Sequence, residues 1–98
     1  MTLAITTKPI PLQQDQTGTI YVRGTRIPLD TIVYAYRNGE SAEEIVESFS
    51  SLKLADVYAI IAYYLEHQID VETYLQARQD EAQSLRNKIE SHFPSHNL

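Results

Sequence analysis

The stretch Arg23-Gly24-Thr25-Arg26-Ile27-Pro28-Leu29 constrains the fold more than any other part of this chain. Ile20 and Val22 alternate ahead of it and Ile27 follows it, a pattern that predicts short strands on both sides of a turn. Gly24 supplies the positive φ that a two-residue hairpin turn needs. Pro28 cannot donate a ladder hydrogen bond, so the second strand is short and a helix begins directly after it. Strand, turn, short strand and immediate helix describe a small module.

The rest of the chain reads as helices. Leu29, Ile32, Val33 and Tyr36 fall on one face and predict a first helix over about 29–38, ended by Asn38-Gly39. Ser41-Ala42-Glu43-Glu44 is a capping box and opens a second helix, whose apolar face is Ala42, Ile45, Val46 and Phe49. A break at Ser50 to Lys53 precedes a third helix over about 54–67. From Val57 to Leu65 that helix carries no charge and is apolar nearly all round, which predicts burial on every side, partly against another molecule. Asp70 is the expected N-cap of a fourth helix reaching to about Ser91. Val71, Leu75, Arg78, Ala82, Leu85 and Ile89 lie along it as a heptad-like seam. Upstream, Pro9 and Pro11 favour an extended arm, Leu12 to Gln14 adds an outer strand, and Asp15 to Gly18 is a turn. The expected organisation is an arm over 1–11, one domain over 12–91 that includes the C-terminal helix, and a flexible tail over 92–98.

Helices two and three, separated by about four residues, have the spacing of a helix-turn-helix unit. Base readout by the third helix calls for Arg, Lys, Asn or Gln near its start. This helix begins Lys53-Leu54-Ala55-Asp56, where only Lys53 suits a phosphate and Asp56 repels one. The net charge of −5 also opposes broad attraction to nucleic acid. The charge is uneven. Residues 1–30 set Lys8, Arg23 and Arg26 against Asp15 and Asp30, whereas 31–70 hold seven carboxylates against Arg37 and Lys53. The residues expected to touch nucleic acid by their charge are Arg23, Arg26 and Lys53. Those expected at a partner or dimer interface are Tyr58, Ile61, Tyr63, Tyr64, Leu75, Arg78, Leu85 and Arg86, with Tyr63 and Tyr64 the foremost tyrosines.

Several classes drop out. The chain has no cysteine, which removes disulfides, thiolate zinc sites and thiol catalysis. No apolar run approaches a membrane span, and Met1 to Lys8 lacks the pattern of a signal peptide, so a cytoplasmic location is expected. His92 and His96 stand four apart, but Pro94 interrupts them and no third ligand is evident, so no metal and no cofactor is expected. No phosphate loop or nucleophile motif appears, and Glu43, Glu44 and Glu47 form a solvated helix face. An enzyme is not expected.

The blocks Ile20 to Leu29, Gly39 to Ile45 and Leu54 to Tyr64, in that order, resemble the small prokaryotic family catalogued as domain of unknown function 433. The likeness extends over about residues 12–75. It implies a mostly α fold: a homeodomain-like or winged helix-turn-helix three-helix core, a small N-terminal β-hairpin and a C-terminal helix. It implies an antitoxin-like regulator that binds and neutralises a PIN-like nuclease toxin and binds its own promoter DNA; the apolar third helix and its neighbours add the expectation of a homodimer. The alternative is a protein-interaction (dimerisation) module that never touches DNA. The resemblance also carries Thr25 over as a motif residue, which adds it to those expected to touch nucleic acid. The resemblance further implies that an arginine competes with the divalent metal of the nuclease, with Arg23, Arg26, Arg78 and Arg86 as candidates. Where the family commonly caps its third helix with Thr or Ser, this chain has Lys53.

Overall fold

The computed structural model describes Leu3 and residues 8–92. Most of the expected arm, residues 93–98 of the tail, His96 and the side chain of His92 lie outside the described residues. The protein is mostly helical. Two short strands, β1 (Leu12–Gln14) and β2 (Ile20–Val22), precede four helices: α1 (Leu29–Arg37), α2 (Ala42–Ser48), α3 (Leu54–Glu66) and α4 (Gln68–His92). The chain divides into two compact units, Met1–Glu66 and His67–Leu98. No described helix is long and apolar enough to cross a membrane.

β1 and β2 pair antiparallel, with Leu12 opposite Val22 and Gln14 opposite Ile20. The connecting turn is held by one carboxylate. Asp15 Oδ1 accepts from the Thr17 amide at 2.9 Å, the Thr17 hydroxyl at 2.7 Å and the Thr19 amide at 3.0 Å.

The expected hairpin from Ile20 to Ile27 is shorter than its alternation suggests. Four residues, Arg23 to Arg26, separate Val22 from Ile27, so the turn is not a two-residue one. The Val22 amide donates to the Ile27 carbonyl at 2.8 Å, and among the described residues the only pairing beyond β2 is a single bridge between Tyr21 and Pro28. Pro28 explains the arrest: it has no N–H to continue a ladder, and its extended conformation at φ −72° leads straight into α1. Gly24 stands at φ +77°, as the turn requires.

α1 ends as its sequence predicts. The Gly39 amide donates to the Tyr36 carbonyl at 3.0 Å and the Glu40 amide to the Ala35 carbonyl at 3.1 Å. This pair of bonds is a Schellman motif, and Gly39 at φ +89° makes it possible without a Cβ penalty. α2 opens with the expected capping box. The Glu44 amide donates to Ser41 Oγ at 3.1 Å, and the Ser41 amide donates to Glu44 Oε1 at 2.8 Å. α1, α2 and α3 each pack on the other two, in helix-turn-helix order. Val22, Leu29, Ile32, Val33, Ala42, Ile45, Leu52, Val57, Ile60 and Tyr64 supply the buried apolar side chains of this unit.

α4 begins three residues before its expected start. The Val71 amide already donates to the His67 carbonyl at 3.0 Å, so Asp70 lies inside the first turn rather than capping it. There its charge still favours the positive end of the helix. Of the proposed seam, Val71 and Leu75 are buried, whereas Ala82, Leu85 and Ile89 are exposed.

Candidate functional site

The Arg23–Arg26 turn is locked by a threonine. Thr25 Oγ1 donates to the Val22 carbonyl at 2.9 Å and accepts from the Ile27 amide at 3.0 Å, while the Thr25 amide donates to the same carbonyl at 3.0 Å. A residue expected to contact nucleic acid thus spends its one hydroxyl proton on its own backbone. The two arginines of the turn line different hollows. Arg26 is exposed and shares a hollow of about 370 Å³ with Asp15 and Tyr21. Arg23 lines a cleft of about 440 Å³ together with Lys8, Lys53 and Asp56. Its backbone amide donates to the Pro11 carbonyl at 2.9 Å and its guanidinium to the Ile10 carbonyl at 3.3 Å, which ties the Pro9-Ile10-Pro11 segment against the turn.

Of the four expected nucleic-acid residues, the structure therefore brings Arg23 and Lys53 together and leaves Thr25 and Arg26 apart from them. It adds Lys8, which sequence reasoning missed. The rigid Pro9-Ile10-Pro11 run after Lys8 was the available signal, because a stiff segment delivers its preceding residue to a defined place.

α3 shows two sides. Val57, Ile60 and Tyr64 are buried along one stripe. Leu54, Tyr58 and Leu65 are exposed, with Ala62 exposed between them. The spacing of these four, i, i+4, i+8 and i+11, is a single helical face. Within this chain the helix therefore has one buried and one exposed apolar face.

The tyrosines of α3 differ sharply in exposure. Tyr58 is 50% exposed, whereas Tyr64 is 4% exposed. Tyr64 is held in the interior by α1. Its ring meets that of Tyr36 edge-on at 6.1 Å, and Arg37 Nε donates to its hydroxyl at 3.4 Å. The Arg37 guanidinium also lies over the Tyr34 ring at 5.4 Å. Ile61 and Tyr63 are half-buried. On α4, Leu75 is buried and Leu85 is 60% exposed; Arg78 lies over the Tyr74 ring at 5.8 Å, and Arg86 donates to Gln83 at 3.2 Å. Leu54 and Leu65 join the exposed face of α3 without having been singled out, because all-round apolarity hides which side is inward.

The exposed face is bordered by α2. The Tyr58 hydroxyl donates to Glu43 Oε2 at 2.6 Å. That bond holds the Glu43 carboxyl below its ordinary pKa and pushes the Tyr58 hydroxyl above its own. Glu44 is lowered by the Ser41 amide and hydroxyl, and Asp15 by the Thr17 hydroxyl and then the surrounding amides.

These three lowered carboxylates make stability pH-dependent. Between the lowered and the ordinary values the unfolded chain binds more protons than the folded one, so stability rises with pH there. The contribution is fully present above the ordinary carboxylate range of about pH 4. It is lost as pH falls through the lowered values. The urea midpoint is therefore expected to hold above the ordinary carboxylate range and to drop as pH falls below about 4. Replacing Asp15, Glu43 and Glu44 by their amides flattens that drop; an equal drop in the triple variant assigns it to other groups.

No group of three or more His, Asp or Glu side chains among the described residues is placed to hold a metal ion. The model of the family described as "Protein of unknown function (DUF433)" matches residues 16–64. The chain belongs to this family. The DUF433 match starts after β1 and runs through β2, the Arg23–Arg26 turn, α1 and α2 to Tyr64 of α3. It therefore includes Arg23, Lys53 and most of the exposed face of α3, but neither Lys8 nor α4. No curated protein and no solved structure matches the chain.

Proposed function

We propose that this DUF433 protein is a non-catalytic, antitoxin-like module that binds and neutralises a PIN-like nuclease through the outward face of α3. The observation that carries this reading is the row Leu54, Tyr58, Ala62 and Leu65, exposed on the helix that occupies the recognition position of a helix-turn-helix unit. Large apolar groups held at a surface by a rigid helix suit burial against another protein. They cannot make the bidentate hydrogen bonds by which a recognition helix reads bases. On this reading α3 does not read promoter bases. The Tyr58–Glu43 hydrogen bond supports it further, because a fixed tyrosine loses little side-chain freedom on binding.

The test is a nuclease assay with a PIN-like nuclease encoded beside this chain. Stoichiometric addition of the full chain is expected to suppress cleavage, and Leu65→Glu is expected to weaken suppression at least tenfold while leaving the circular dichroism spectrum unchanged. An active nuclease in the presence of excess chain overturns the reading. If sedimentation instead shows a dimer of the chain alone that Leu65→Glu dissociates, the face serves a second copy and the chain is a dimerisation module.

A further inference from the structure

Three cations from three separate segments meet at one place. Lys8 comes from the arm, Arg23 from the turn after β2, and Lys53 from the position just before α3; all line the cleft of about 440 Å³. Among the described residues Asp56 is the single acidic group on its wall, so their side chains bring three positive charges against one negative. The whole chain carries −5, which makes the cleft a local reversal of sign. Arg23 gives one of its five donors to the Ile10 carbonyl and keeps the others for a ligand. Lys8 and Lys53 are exposed. On the α3 side the wall is Ala55 and Ala59, whose small side chains let a bulky backbone approach and offer it no hydrogen-bonding group.

We propose that Lys8, Arg23 and Lys53 bind the backbone phosphates of duplex nucleic acid without reading its bases. The ligand chemistry follows from the cleft: guanidinium and ammonium groups converging on one hollow favour an oxyanion. The duplex follows from the placement. The cations lie at the start of the third helix of a helix-turn-helix unit and on the arm beside it, so they can meet a backbone along more than one phosphate. Blindness to sequence follows from the alanines, which have nothing to offer a base edge. This surface adjoins the Leu54–Tyr58–Leu65 face on α3 but does not use it, so the inference stands apart from the nuclease reading.

The experiment is fluorescence anisotropy of the full chain against a labelled random-sequence duplex of about two helical turns over a salt series. Three phosphate contacts predict a slope of log K against log salt of about −2.7. Lys8→Ala and Lys53→Ala are each expected to reduce that slope by about 1, and duplexes of different sequence are expected to bind equally. Asp56→Asn is expected to tighten binding several-fold, a gain that no purely structural role for Asp56 produces. Four results of the duplex titrations, and a fifth with inorganic phosphate, overturn the proposal. The first four are salt-independent binding, a slope that Lys8→Ala and Lys53→Ala leave unchanged, strong preference for one duplex sequence, and binding of polyglutamate in place of duplex. Inorganic phosphate alone, at concentrations comparable to the salt, is expected to compete only weakly; displacement of the duplex by low phosphate marks a site for the free anion instead.

Discussion

Ile60→Ala is expected to lower the unfolding free energy by about 2–5 kcal/mol. Ile60 is 0% exposed on the buried stripe of α3 that also holds Val57 and Tyr64. Removing its outer carbons forfeits their transfer free energy and leaves a cavity that α1 and α2 close only in part. A domain of this size is stable by about 5–15 kcal/mol, so a large share of the total is at stake. Leu65→Ala, on the exposed face of the same helix, is expected to change stability by no more than about 0.5 kcal/mol. Urea denaturation followed by circular dichroism compares the two directly. Equal losses at both positions mean that Leu65 is buried like Ile60 and that α3 has no free apolar face.

Thr25→Val is expected to cost about 1–3 kcal/mol, with Thr25→Ser recovering most of it. Valine keeps the shape of threonine and removes only the hydroxyl. The Val22 carbonyl still accepts from the residue-25 amide, but the Ile27 amide loses its acceptor in a part-buried position. A donor stranded away from water carries its full desolvation cost, which is why a single hydroxyl weighs so much. Hydrogen exchange at the Ile27 amide reports the same event, with protection falling in the valine variant and returning in the serine one. A valine variant as stable as the parent shows that the turn is held by Gly24 and the backbone alone, and frees Thr25 for a role at the surface.

Much of this architecture was legible in the chain because its signals are local. A capping box acts within one helical turn, so Ser41 and Glu44 announced the start of α2 wherever α2 packs. Gly39 announced the end of α1 by the same logic: the left-handed residue and both bonds of its cap lie within six positions. Asp70 shows where that logic stops. It is a good cap by type, yet the chain enters α4 at Gln68, since a residue with cap chemistry is equally welcome in the first turn. The Ile20–Ile27 hairpin reading holds for the strand Ile20–Val22 but not for a second strand, because Arg23 to Arg26 form the turn and Pro28 closes the ladder after one bridge.

The sequence by itself determined the helix count, the faces of α1 and α2, the turn at Gly24 and the family likeness, all properties of short-range spacing. The tertiary structure decided the rest. On α3 nearly every side chain is apolar, so periodicity carries no direction, and only packing against α1 and α2 buried Tyr64 and left Tyr58 beside Glu43. The cleft shared by Lys8, Arg23 and Lys53 is invisible along the chain for a related reason. Its members stand 15 and 30 residues apart, and the proximity of such distant charges is created by the fold, when the Arg23 guanidinium and amide draw the Ile10–Pro11 segment against the turn that precedes α1.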